Sequence, residues 1–302
     1  MSGQPAARLG DRIACLVPQA TPAAAPHAPP PGLPIATVGA ADVLIGGQPA
    51  ARLGDQSLCL APAPTPNPIT RGAYPVPISG MPAARLTDPA THPGSLIAPP
   101  CCPTVLIGLA GTTGNPRVGT LACQAAAGGR ASNATQQSYN NCGVESSRQL
   151  INQATGANVG ENALLTQAIN SGNAAGTPGA ALQFANGGTN PATRQALLAA
   201  NGVPSIVQPT TMENLGLAMS RGQGAIVALD AAPLWGPPQP PGSLHAVTVT
   251  GIEYDDAGNP TNVIINDTGT GQCGQRVLAA RFNQATAAHP NSRLNVTSNP
   301  LW

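Results

Sequence analysis

Charge is scarce in this 302-residue chain: 13 basic and 12 acidic side chains make up 8% of it, and the net charge is +1. So neutral a polypeptide offers no electrostatic footprint for nucleic acid or an anionic membrane surface. Lysine is missing, all 13 basic residues being Arg, which reflects coding composition and not chemistry. No run of 18 apolar residues occurs, excluding a transmembrane helix. The opening MSGQPAARLGD lacks both a basic n-region and an apolar h-region, so no secretory signal is expected. Export would have to use a route that reads no such signal.

The length suits two domains. Gly and Pro are abundant, 35 and 34 residues, and crowd the first part of the chain. That approaches a disordered composition, but periodic units there argue for tightly turned β structure. Seven cysteines without a secretory signal speak against a pure disulfide framework. Cys123 and Cys273 read as buried small hydrophobes, with a disulfide as the alternative. His27 and His289 carry no partner signal.

The periodicity is a tetrapeptide: Pro5-Ala6-Ala7-Arg8, Pro49-Ala50-Ala51-Arg52 and Pro82-Ala83-Ala84-Arg85. Each copy is followed by an acid and, four residues on, a soft ligand: Asp11 then Cys15, Asp55 then Cys59, Asp88 then His92. A repeat that delivers a thiolate or imidazole to equivalent places suits one metal site on a pseudo-threefold axis. Cys15, Cys59, His92 and one of Cys101 and Cys102 make a four-coordinate set fit for structural Zn²⁺. Adjacent cysteines on an extended segment face opposite ways, so only one of that pair is expected at the metal. Residues 41–48 and 103–108 are β-branched runs bounded by Gly, read as strands. Residues 18–34 and 60–70, rich in Pro and Ala, read as polyproline-II-like loops outside the core.

These three tetrapeptides, with their following Leu-Gly-Asp or Leu-Thr-Asp, resemble the PAAR and PAAR-like family. Its domains form a sharpened β cone capping the valine-glycine-repeat (VgrG-type) spike trimer of type VI secretion systems. The resemblance covers about residues 1–110. It implies a zinc ion near the tip, held in family members by a histidine-rich set; Cys15 and Cys59 stand here at histidine-type positions.

Residues 111–133 thin to small side chains and read as a linker, and residues 134–302 as a second domain. Helix candidates at 143–154, 161–171, 193–201 and 212–220 precede strand candidates at 225–229, 245–251 and 262–266, an α+β order with an antiparallel sheet. Cys142 follows polar turn residues and opens a helical pattern, where a helix N-terminus favours the thiolate. Gln136 lies six residues upstream, placed to offer its amide to an oxyanion. His245 opens a strand with alternate apolar residues, and Asp267 ends a neighbouring one. Cys, His and Asp in that order suit a nucleophile, a base and an orienter. Trp235 is read either as core packing or as a wall of the substrate groove, beside a rigid loop at 236–242.

These elements resemble papain-like cysteine peptidases, closest to the C39-type branch, over roughly residues 130–275. The resemblance implies Cys142 as nucleophile, His245 as general base and then acid, Asp267 as orienter and Gln136 as oxyanion donor. Asn266 is the alternative orienter, but strand alternation lets only one of the two face His245, and the family position falls on Asp267. Thr268 stands where Pro usually follows the acid.

Together these readings describe an all-β PAAR cone with a metal site, fused to a papain-like α+β cysteine hydrolase. The expected function is that of a type VI effector toxin, delivered by the spike into a target cell, its cytoplasm above its periplasm. Expected partners are the spike trimer, a target protein in the recipient cell and an immunity protein that blocks the cleft. The alternatives are a deamidase or transglutaminase on the same fold, and a non-catalytic structural spike tip.

Overall fold

The computed structural model describes residues 3–15, 28–36, 39–59, 65–108, 110–116, 140–179, 186–237 and 239–302. It divides into two compact units, Met1–Gly111 with Tyr254–Asn259, and Thr112–Glu253 with Pro260–Trp302. No described helix is long and apolar enough to cross a membrane.

In the front unit the tetrapeptides converge on one ring. The N–H of Ala7 donates to the carbonyl of Ala84, that of Ala84 to Ala51, and that of Ala51 to Ala7, each at 2.9 Å. Three backbone bonds thus close a pseudo-threefold cycle within a single chain. The two alanines of each copy enter different layers. Ala6, Ala50 and Ala83 pack with Ile45, Ile78 and Ile107 on one side of the ring. Ala7, Ala51 and Ala84 pack with Ile35, Ile69 and Ile97 on the other. All six alanines are at most 1% exposed, and in so dense a core added methylenes would force strain.

Antiparallel hairpins feed the ring. Ala40–Ile45 pairs with Gln48–Ala50, and Ala73–Ile78 with Met81–Ala83. The first copy, Gln4–Ala6, instead takes its partner, Cys102–Ile107, from the far end of the unit. The two ends of the unit are thereby sewn together. Residues 28–34 and 65–68, read from sequence as unpaired polyproline-like loops, are strands: Ala28–Pro34 pairs with Arg12–Cys15, and Thr65–Pro68 with Gln56–Cys59. A proline lacks the N–H but keeps a carbonyl, so it is tolerated on edge strands of such narrow ladders.

Each repeat turns sharply after its arginine. Asp11, Asp55 and Asp88 each accept the backbone N–H of the arginine three residues earlier, at 2.8, 2.8 and 2.9 Å. Their carboxylates also pair with the Arg8, Arg52 and Arg85 guanidiniums at 3.0, 3.6 and 2.7 Å. The equal spacing of the acids therefore has a local cause, closing the turn. The turn needs a left-handed residue, supplied by Gly10 (φ 90°) and Gly54 (φ 89°), whereas the third copy holds Thr87 at φ 68°. Arg85 and Asp88 are buried, and burial pushes the Asp88 carboxyl up to about 6 against the opposing pull of Arg85.

The back unit is α+β. Its strands are β1 (Gly111–Gly114), β2 (Ser205–Pro209), β3 (Gln223–Asp230), β4 (Leu244–Tyr254), β5 (Pro260–Asp267), β6 (Gln272–Leu278) and β7 (Arg293–Pro300). They form one sheet in the order β2-β7-β3-β4-β5-β6, with β1 pairing to β4. The start of the stretch read as linker is therefore strand. The described helices are α1 (Cys142–Thr155), α2 (Glu161–Asn170), α3 (Pro191–Ala200), α4 (Met212–Ser220), the single turn α5 (Ala232–Trp235) and α6 (Ala279–Ala288). Val144, Leu150 and Ile151 of α1 meet Leu164, Leu165, Leu197 and Leu198 of α2 and α3, and Ile226 and Ala246 of the sheet. Each such side chain contributes roughly 1.5–3 kcal/mol by its burial.

Helix α1 is buried continuously from Gly143 to Ile151, polar residues included. Its Glu145 and Arg148 form a bidentate pair at 2.8–3.0 Å. Ser146 Oγ donates to the Ala246 carbonyl at 3.3 Å, and Thr248 Oγ1 to the Ser146 carbonyl at 3.4 Å. These bonds fix the helix against β4. Of the two readings of Cys273, buried small hydrophobe or disulfide, the structure has the second: it is half-buried and disulfide-bonded. Cys123 lies outside the described residues.

Two outcomes test the front turns. Arg85→Ala strands the Asp88 carboxylate in the interior and should destabilise the unit by about 3–5 kcal/mol, against about 0–1 kcal/mol for Arg8→Ala at a partly exposed pair. Hydrogen exchange of the ring amides in the full chain measures both. Thr87 is exposed, and a left-handed L-residue costs roughly 1–2 kcal/mol. Thr87→Gly should therefore slow exchange, despite the larger chain entropy glycine loses on folding.

Candidate active site

Three elements of the back unit end at one place. Cys142 heads α1, where the first N–H groups of the helix have no intrahelical acceptor. His245 is the second residue of β4 and Asp267 the last of β5, on neighbouring strands. His245 Nε2 lies 2.8 Å from Asp267 Oδ1. The other side of the His245 ring serves Cys142, with which its side chain is hydrogen-bonded. Cys142, His245 and Asp267 thus form a continuous chain.

Strand alternation selects the acid. Asn266 points to the opposite face, donating to Gln149 Oε1 at 3.1 Å and accepting the Gly274 N–H at 2.9 Å. Asp267 is fully buried yet well satisfied. It accepts from Trp235 Nε1 at 2.7 Å and from the Gly269 and Thr270 N–H groups at 2.8 and 3.3 Å. Trp235 also lies with its ring centroid 4.9 Å from that of His245, tilted by 54°. It is neither plain core nor a plain groove wall: its indole N–H anchors the orienting carboxylate. Gly269 makes room for this, since a Cβ there would stand 2.5 Å from the indole ring.

The charges follow from these contacts. Burial pushes the Cys142 thiol up, but the hydrogen bond and charge of His245, with the Ala246 N–H and Arg194, outweigh it and hold the thiol below its ordinary value. Burial opposes the His245 cation, but Asp267 and Cys142 outweigh it and raise its pKa. Burial likewise opposes the Asp267 carboxylate, which His245, Trp235 and the Gly269 N–H keep ionised. The Cys142 and His245 shifts both act in the direction of a thiolate paired with an imidazolium.

The cleft beside Cys142 has a volume of about 810 Å³ and is lined by Arg194, Trp235, Gln239, His245 and His289 among others. Arg194, on α3, carried no mark of function in the sequence. It approaches the nucleophile because Gly143 follows Cys142: a Cβ at 143 would stand 1.9 Å from Thr189 Oγ1 and 3.2 Å from Arg194 Cδ. Gln136, the expected oxyanion donor, lies outside the described residues.

The expected metal ligands do not come together in this way. Among the described residues no three His, Cys, Asp or Glu side chains group as a metal site. Cys101 packs with Ala7, Ala51 and Ala84 in one apolar layer, and Cys102 with Ala6, Ala50 and Ala83 in the other. The pair does alternate, but between two alanine layers and not toward a metal. Cys101 donates to the Ala98 carbonyl at 3.5 Å, and the Cys102 thiol lies 3.4 Å from Thr104 Oγ1. Cys15 and Cys59 close their strands, the former with its thiol 3.8 Å from the Pro93 carbonyl in the His92 loop. The four-ligand zinc site that the spacing suggested is thus not shown among the described residues.

Comparison with curated protein sequences gives no match. Among solved structures, the chain is similar to that of a candidate C39-like peptidase from Bacillus anthracis, at 17% identity and a TM-score of 0.40, over 53% of this chain and 90% of that one. The family model of the PAAR motif matches residues 1–65 and 27–98. Those two stretches take in all three Pro-Ala-Ala-Arg copies, and the front unit of this chain carries the PAAR motif.

Proposed function

We propose that the back unit is a cysteine hydrolase of papain-like type, acting first on peptide bonds, and that the PAAR front is the tip by which a type VI secretion spike delivers it as a toxin. The observation that carries the enzymatic half is the unbroken chain from Cys142 through His245 to buried Asp267, opening on a cleft. In the proposed reaction the Cys142 thiolate attacks the substrate carbonyl. The N–H groups at the head of α1 face the developing oxyanion, with Gln136 joining them by resemblance. The His245 imidazolium then protonates the leaving amine as the tetrahedral adduct collapses to a thioester. Neutral His245 next takes a proton from water, which displaces the thiolate and releases the acid. Asp267 holds the ring angle and tautomer throughout, and Trp235 holds Asp267.

The delivery half rests on the PAAR motif. It carries with it a valine-glycine-repeat spike trimer as partner, and an immunity protein in the producing cell. Zinc in the front unit stays a proposal supported by the spacing of Cys15, Cys59 and His92 alone.

Expression of the full chain in a susceptible bacterial cytoplasm should be toxic, and Cys142→Ala or His245→Ala should remove the toxicity. Asp267→Ala should be milder, because the orienter transfers no proton. Trp235→Phe keeps the ring but deletes one bond to a charged acceptor, and should lower turnover about tenfold or more. Proteomics of new N-termini identifies peptide cleavage; Gln-to-Glu conversion without new termini would assign the deamidase reaction instead. Toxicity undiminished in Cys142→Ala at equal expression would remove the hydrolase reading. Metal analysis of the purified full chain decides the zinc proposal: about one zinc per chain sustains it, and none removes it.

A further inference from the structure

Arg194 is 3% exposed, and no acid among the described residues pairs with it. Its Nε donates to Asn295 Oδ1 at 3.1 Å and its Nη1 to Thr189 Oγ1 at 3.4 Å, both neutral acceptors. Nη2 is buried with no hydrogen-bond partner at all. An unpaired guanidinium in a dry site is costly unless an anion arrives to meet it. Arg194 interacts electrostatically with Cys142.

The rest of the cleft has the same bias. Among the described residues its lining includes Arg194 and His289 but neither Asp nor Glu. Asp230, nearby, is consumed by the Ala232 and Gly242 N–H groups at 2.9 and 2.6 Å. His289 Nδ1 accepts the Asn291 N–H at 3.0 Å, leaving Nε2 as the protonated nitrogen. Burial, aided by the charge of Arg194, holds His289 toward the neutral form. The wall thus presents one cation with an unused N–H and one neutral donor.

We propose that this wall is a specificity subsite for a carboxylate: the enzyme takes substrates bearing a carboxylate close to the carbonyl that Cys142 attacks, with Arg194 as its ion-pair partner and His289 as a second donor. The proposal rests on the hydrolase reading and names its substrate class, amides with an adjacent acidic group. Arg194 is here a specificity-determining residue and takes no part in proton transfer.

Two alkylating probes test it without a known substrate. Iodoacetate and iodoacetamide differ in carrying a carboxylate or a neutral amide. Their second-order rates at Cys142 are measured on the full chain by peptide mass mapping, with glutathione in parallel. The ratio of the iodoacetate to the iodoacetamide rate should exceed that of glutathione by about tenfold, and Arg194→Met should lose most of that excess, a change near 1.4 kcal/mol. His289→Gln should lose part of it. Because each variant is its own reference, altered thiolate reactivity cancels in the ratio. A wild-type ratio equal to that of glutathione overturns the proposal even if Arg194→Met does not fold. So does a ratio that Arg194→Met leaves unchanged. The pH profile of the iodoacetamide rate reads the underlying function separately: reactivity persisting well below the ordinary thiol value of about 8.5 sustains the thiolate–imidazolium pair. An ordinary thiol profile removes the hydrolase reading whatever the ratio.

Discussion

The ion pair between His245 and Asp267 organises the whole working end of the back unit. A fully buried carboxylate is tolerated only if its lone pairs are taken up, and those of Asp267 are met by an imidazole, an indole and two backbone N–H groups. The donors come from three parts of the fold: β4, the turn α5, and the loop after β5. The carboxylate therefore does more than steer one ring. It gathers three segments round Cys142, and its negative charge favours the cationic form of His245. Helix α1 completes the arrangement from the other side, pinned to β4 by Ser146 and Thr248.

The front unit depends on a constraint of volume. Six alanines line two layers about a ring of three backbone hydrogen bonds, and no larger side chain would let the three segments approach. The arginines and aspartates outside the ring do local work, closing each turn on itself. The first copy borrows its strand partner from Cys102–Ile107, so the unit holds together only when both of its ends are present.

Much of this was legible from sequence, for reasons that can be named. Helices α1 to α4 showed because apolar side chains recur at helical spacing, as with Val144, Leu150 and Ile151. Cys142, His245 and Asp267 showed because each stands at the end of an element, where a reactive group is presented. Strands β2, β6 and β7 and helix α6 did not show: β6 and β7 are punctuated by Gly, Asn and Arg, and α6 is mostly small residues. Trp235 and Arg194 were invisible in their roles because those arise from tertiary proximity alone. The metal reading rests on spacing, and that spacing has a second source. Equal offsets from three aspartates looked like convergent coordination, yet the Arg–Asp turn imposes the same offset on whatever follows it. In Cys101 and Cys102 the thiols serve as small apolar side chains among alanines.

The closed alanine ring has a consequence for how such a unit varies. A ring assembled from three separate subunits would depend on protein concentration, and every substitution would appear three times over. Here the three arms are tethered, so they meet at an effective concentration set by the connecting segments. Each arm is also free to drift alone. The third differs from the others, holding a threonine where they have glycine and burying its Arg85–Asp88 pair. Threefold geometry is thus retained without threefold chemistry, and a partner that touches the arms can tell one from another.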